Sequence, residues 1–184
     1  PTLWQASTFP KHIRDKITII HDGIDTQVVK PNQDAQFAMA SGKVLTRKDE
    51  IITFVNRSLE PYRGFHVFMR SLPAVLSQQP NALVLIVGAE GVSYGSEPSN
   101  GISWKQQFIN EVYPNLDDLQ RTRVHFLDNI AYDRFISLLQ ISTVHVYLTY
   151  PFVLSWSLLE AMSAGCSIVA SDTQPLREAI THDE

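Results

Sequence analysis

The chain has 184 residues, with 15 Lys and Arg against 19 Asp and Glu, a net charge of -4 and a pI near 5.8. That balance argues against a general nucleic-acid binder, while 44% hydrophobic and 18% charged residues supply the core of one ordinary globular domain. The single cysteine, Cys166, excludes an internal disulfide and fits a reducing, cytoplasmic compartment, and no apolar run reaches the roughly 18 residues that would span a membrane.

Apolar strand candidates alternate with helix candidates along the chain. Lys16–Ile20 reads as a short strand closed by His21-Asp22-Gly23. Residues 31–49 are polar and read as a loop with room for one helical turn. Ile51–Val55 is a β-branched run, expected to be a buried strand. Phe65, Phe68, Met69, Leu72, Val75 and Leu76 then form one apolar stripe of a helix over 64–78, with Pro73 expected to bend or break it. Ala82–Val87 is a second buried strand, ended by Gly88, and a Gly- and Ser-rich loop covers 89–101.

A helix over 103–112 precedes a polar turn. Val124–Leu127 and Thr143–Leu148 read as strands, with a helix over Tyr132–Gln140 between them. A helix over 156–164 stops at Gly165, followed by strand Ser167–Ala170 and a short helix from Pro175. Strands separated by helices of this length make βαβ units. The expected fold is therefore a Rossmann-like α/β domain, a parallel sheet with helices on both faces.

Ligands of such sheets bind beyond the carboxyl ends of the strands. The first such loop runs Asn56-Arg57-Ser58-Leu59-Glu60-Pro61-Tyr62-Arg63-Gly64. Its two arginines are permanent cations suited to phosphate. They could equally be solvated, one of them paired with Glu60. Gly88 allows close backbone approach, and Asp128-Asn129-Ile130-Ala131 is either a polar turn or a main-chain contact for a base.

The amino end of the helix at Trp156 offers free N–H groups to phosphate, and Glu160 beside it can accept sugar hydroxyls. The six histidines show no ligand spacing, so no metal or other cofactor is expected. His125 and His145 read as structural, and Ser155 and Ser157 lack a nucleophile elbow.

In register, these pieces resemble the group 1 glycosyltransferases of the GT-B fold, specifically their C-terminal, donor-binding half. Ile19-Ile20-His21-Asp22-Gly23-Ile24-Asp25 resembles the family's "I-P-N-G-V-D" and Lys30-Pro31 its "F-x-P". Phe54–Arg57 through Arg63-Gly64 resembles the "G-R-x5-K-G" phosphate loop, Leu85–Gly88 the "I-V-G-x-G" strand, and Val124–Leu127 "V-x-F-L-G". Leu158–Gly165 with Ile168–Ala170 resembles "L-E-A-M-A-x-G-x-P-V-V-A".

The resemblance implies catalytic roles for Arg57 and Arg63 on the donor diphosphate and for Glu160 on the ribose. It implies binding contacts from Asn56, Gly88, Asn129, Ile130, Phe152, Ser155, Ser157, Leu158 and Leu159. Three departures stand out. Arg63 replaces the family lysine. Phe152 lies eight positions before Glu160, where the family carries a sugar-binding glutamate. Asn56 and Asp128 replace glycines.

The implied activity is sugar transfer, mostly with retention, from a nucleotide-diphosphate sugar to an acceptor hydroxyl. Residues 1–16 read as a remnant of the joint to an N-terminal acceptor domain, and 17–184 as the nucleotide-sugar domain, cut at its C-terminal end. The fragment alone is expected to be inactive. Peripheral membrane association of a longer protein is compatible with the sequence. A nucleotide-sugar 2-epimerase and a non-catalytic binding or scaffold module are the competing readings, the latter supported by Phe152.

Overall fold

The computed structural model describes residues 2–182. Two short helices open it, α1 (Leu3–Ser7) and α2 (Lys11–Arg14), followed by irregular chain and an antiparallel hairpin, β1 (Gln36–Ala38) and β2 (Val44–Thr46). Then come β3 (Ile51–Ser58), a single 3-10 turn at Pro61–Arg63, and α3 (Phe65–Gln78). β4 (Leu83–Ala89), α4 (Trp104–Val112), α5 (Asp118–Arg121) and β5 (Val124–Phe126) follow. The chain continues through α6 (Tyr132–Ile141), β6 (Val144–Tyr147), α7 (Trp156–Ala164), β7 (Ser167–Ala170) and α8 (Gln174–Arg177).

β3 to β7 form one parallel sheet in the order β5-β4-β3-β6-β7. The chain moves outward from β3 to one edge, then returns to β6 on the other side. The topological switch point therefore lies between β3 and β6, where doubly wound sheets place their ligands.

Side-chain alternation in the strands divides the core into two layers. Phe54, Val84 and Ile86 pack with Phe65, Phe68, Met69 and Leu72 of α3 and Phe108 of α4. Ile51, Val55, Leu85 and Val87 pack on the opposite face with Leu138 and Ile141 of α6 and with Phe37 and Leu45 of the hairpin. Helices thus cover both faces, as the sequence pattern predicts.

Five local expectations need correction. Lys16–Ile20 is not a strand: Ile20 is 69% exposed, and the segment begins as a turn, with the Lys16 and Ile17 N–H groups donating to Ile13 and Arg14. Residues 31–49 hold the β1–β2 hairpin rather than a helical turn, pinned by the buried cross-strand pair Phe37–Leu45. Pro73 lies inside α3 and does not break it, with Leu72 and Leu76 buried on either side of it. Gly88 does not end β4, which extends to Ala89 and joins β3 again through Leu59 N–H to the Ala89 carbonyl. The polar stretch after α4 folds α5, held by an Asp117–Gln120 capping box.

Candidate functional site

The carboxyl ends of β3 and β6 meet through glycine. Gly64 sits at φ 76°, and a Cβ there would lie 2.2 Å from the Leu148 carbonyl oxygen. Only glycine lets the entry to α3 cross so close to the end of β6. The Tyr150 N–H donates to the Tyr62 carbonyl at 3.1 Å and ties the two loops together.

Arg63 stands at this crossing. It is buried at 8% exposure, and its Nε has no hydrogen-bond partner. Its guanidinium carbon lies 4.9 Å from the Tyr94 ring centre and 5.7 Å from that of Phe152. Tyr94 and Phe152 touch each other at 4.7 Å between ring centres, and Tyr62 meets Phe152 edge-on at 5.7 Å. Loops following β3, β4 and β6 therefore converge on one cation. No carboxylate among the described residues pairs with it. Of the two arginine readings, a solvated loop residue does not describe Arg63.

Arg57 differs. It lies near the end of β3 within a register shift between Val55 and Ser58, and it is exposed, with no ion pair among the described residues. Such a bulge turns a side chain out of the alternating pattern. Asn56, in the same bulge, turns its carbonyl toward Gly88: a Cβ on that glycine would meet the Asn56 oxygen at 2.8 Å and Leu59 at the same distance. Gly88 is thus buried beneath the β3 loop.

Glu60 does not pair with either arginine. It is fully buried, and its carboxylate accepts the N–H groups of Ser93, Tyr94 and Gly95.

At the amino end of α7, Ser155 is the helix cap. Its hydroxyl accepts the Ser157 N–H at 3.2 Å and bonds the Ser157 hydroxyl at 2.7 Å. The Leu158 and Leu159 N–H groups turn to the Ser155 carbonyl at 3.1 and 3.4 Å. The Leu158 side chain belongs to the core beside Tyr147 and Leu176, so only its main chain faces the site. The exposed Trp156 donates its indole N–H to Asp22, bringing the segment before β1 alongside this helix end.

Glu160 lies in the second turn of α7, buried at 6% exposure, and accepts the Tyr132 hydroxyl at 2.7 Å. That hydrogen bond, more than burial, pushes the Tyr132 phenol up to about 12. Asn129 is exposed at the mouth of the β5 loop, whereas Ile130 is half-buried and packs against the core behind α6. Asp128 adopts φ 45°, the left-handed conformation that suits the glycine it replaces. Lys105 reaches both Asp128 at 3.4 Å and Glu90 at 3.0 Å, joining the loops after β4 and β5.

The structure therefore brings Arg63 and Phe152 together, Asn56 against Gly88, and Ser155 against Ser157–Leu159. Sequence reasoning missed Tyr94, Tyr132 and the amide contacts of Glu60. Tyr94 falls within a featureless glycine-serine loop, and Tyr132 meets Glu160 only because α6 and α7 pack side by side. No three His, Cys, Asp or Glu side chains among the described residues could together hold a metal ion.

The family model described as glycosyl transferases group 1 matches residues 36–184, and that of the glycosyl transferase family 4 group matches residues 1–29. Among solved structures, the C-terminal domain of LpcC, a group 1 family glycosyl transferase from Francisella tularensis, is similar with a TM-score of 0.66 at 18% identity. The match covers 88% of this chain and 77% of that one. HepE from Anabaena, solved with UDP and glucose, gives 0.61 at 20% identity, covering 90% of this chain and 41% of its own. Sucrose-phosphate synthase from Thermosynechococcus elongatus gives 0.61 at 22% identity, covering 86% and 36%. This chain thus spans well under half the length of the last two. No curated protein matches it.

Proposed function

The chain belongs to the group 1 glycosyl transferases, with the fold of the C-terminal half of a GT-B enzyme, and from that premise we propose that it binds the nucleotide-diphosphate sugar donor. In the complete enzyme the bond between the sugar's anomeric carbon and the diphosphate breaks. A bond from that carbon to an acceptor hydroxyl oxygen forms, and the hydroxyl loses its proton.

The residues of this chain act on the leaving side. Arg63 and Arg57 face the charge that develops on the departing diphosphate. The α7 amino end adds N–H groups, the phosphate taking the place of the Ser155 hydroxyl at Ser157. Glu160 accepts ribose hydroxyls beside Tyr132. Asn129 and the main chain at Ile130 meet the base. Residues 17–184 form the donor domain. Residues 2–16, docked on α8 through Glu178, belong to the joint with an acceptor-binding half. Sugar transfer of this kind uses cytoplasmic nucleotide sugars, and a cytoplasmic location is part of the proposal.

One observation carries the reading: a buried arginine without a counter-ion at the switch point of the sheet. A buried cation is costly unless something pairs with it, and a diphosphate does so. The test is calorimetry with uridine diphosphate, the ligand type seen in HepE. Arg63→Ala and Arg57→Ala should each weaken binding about tenfold or more, since a charge-assisted contact is worth roughly 1.5–3 kcal/mol. Wild-type affinity in both variants refutes the proposal.

Phe152 favours a second reading, a module that binds nucleotide without sugar chemistry. Its ring is committed to Tyr62, Tyr94 and Arg63 and offers a sugar no hydrogen-bond acceptor. Transfer or donor hydrolysis by the complete enzyme separates the two readings.

A further inference from the structure

Glu60 is a fully buried carboxylate three positions before the phosphate-site arginine, yet the two form no ion pair. Its oxygens accept three main-chain N–H groups instead: Ser93 at 3.2 Å, Tyr94 at 3.3 Å and Gly95 at 2.8 Å. These amides belong to the stretch between β4 and α4, which has no helix or strand of its own. A second anchor lies beside them, the Ser58 and Ser93 hydroxyls at 2.7 Å.

The loop is threaded closely over the carboxylate. A Cβ on Gly95 would lie 2.9 Å from Glu60 Oε2, so a glycine is what lets the chain pass there. Ordering a loop costs conformational entropy. Carboxylate-to-amide bonds are the strong kind that can offset it. The residue held in the middle is Tyr94, whose ring lies against Arg63 and Phe152. Tyr94 is half-exposed, and its hydroxyl makes no hydrogen bond to any described residue. Its ring is therefore the functional part.

We propose that Glu60 is a positioning residue for diphosphate recognition: by gripping the amides of Ser93–Gly95 it seats the Tyr94 ring against Arg63 and pre-orients that guanidinium toward the ligand. This rests on the reading of Arg63 as a diphosphate ligand. The division of labour is chemical. Glu60 directs its acceptor oxygens to amides rather than to the guanidinium, so the Arg63 N–H groups stay available for an anion.

The test measures affinities of this chain for uridine diphosphate and for uridine, with thermal melting alongside. Glu60→Gln replaces one acceptor oxygen with a donor and releases the loop. It should lose about tenfold in diphosphate affinity, the scale of a desolvated cation–π contact, and keep its affinity for uridine. Tyr94→Ala should lose as much, and the double variant no more than either single one. Tyr94→Phe should bind as the wild type does.

Full diphosphate affinity in Glu60→Gln, with Arg63→Ala weakened, overturns this inference and leaves the Arg63 reading standing. So do losses from Glu60→Gln and Tyr94→Ala that simply add. Full affinity in Arg63→Ala overturns both. Should Glu60→Gln fail to fold, Gly95→Ala pushes the same loop off the carboxylate, and its diphosphate affinity decides in the same way.

Discussion

Two arginines, Arg123 and Arg63, are buried to nearly the same degree, 9% and 8% exposed, at opposite ends of the same sheet. At the amino end, the Arg123 guanidinium donates to the carbonyls of Leu76, Gln79 and Ala82, closing the carboxyl end of α3. At the carboxyl end, Arg63 has aromatic rings around it and no acceptor among the described residues. A cation that satisfies main-chain carbonyls is part of the scaffold. One held in place without an acceptor suits the ligand role proposed for Arg63. Burial alone does not separate the two; the hydrogen bonds do.

The strongest way to break the comparison is to break the ligand end itself. Gly64→Ala adds a methyl 2.2 Å from a main-chain oxygen at φ 76°, which should cost roughly 4 kcal/mol of stability. Urea unfolding reads it directly. Next, Arg123→Ala should cost about 2 kcal/mol by removing three charge-assisted hydrogen bonds, the Gln79 carbonyl keeping only the Ala82 N–H, without changing nucleotide affinity of the folded protein. Arg63→Ala should do the reverse, staying within about 1 kcal/mol of wild-type stability while losing nucleotide affinity. If both arginines respond alike, the distinction fails.

Acid should also act on the scaffold. His145 is fully buried, with Nδ1 on Thr53 and Nε2 unpartnered, and burial pushes it down to about 4. In the unfolded chain it titrates near the ordinary value of about 6.5. Between those values the unfolded chain binds the extra proton. Stability is then full above the upper value and declines as pH falls toward the lower one, by up to roughly 3 kcal/mol. Urea midpoints measured from neutral to mildly acid pH should show the decline, and His145→Gln should flatten it.

Glu160→Gln should weaken nucleoside diphosphate binding about tenfold with little change in melting temperature. A stability loss without a binding loss would instead make Glu160 a helix-end residue only. The smallest effect concerns the sugar. With Phe152 turned onto Arg63, a nucleotide sugar should bind less than about tenfold better than its nucleoside diphosphate. Calorimetry with the two ligands checks it.

What the sequence revealed follows from range. The strands at Ile51, Leu83 and Val144 are written as local apolar runs. Helix α7 matches its expected limits because Ser155 and Gly165 are local signals for start and stop. The hairpin escaped because its two strands are only three residues each, and the meaning of Phe37 and Leu45 lies in facing each other. Arg57 and Arg63 look equivalent in a line of letters. Only the crossing of loops after β3, β4 and β6 makes one exposed and the other enclosed. Glu60 invited an ion-pair reading because its nearest cations in sequence are arginines. Its actual partners are amides 33 to 35 residues away.

Glu178 also accepts the N–H groups of Leu3 and Trp4, at 2.7 and 2.9 Å, across 175 and 174 positions of chain. This joint ties α1 to the end of α8 and closes the polypeptide into a loop. Closing a loop costs entropy only as the logarithm of its length, yet that cost falls due before any contact rewards it. The joint should therefore form late in folding, after the sheet has brought its two sides near each other. In native-state hydrogen exchange the amides of Leu3 and Trp4 should open first, while those of β3 and β4 persist to global unfolding.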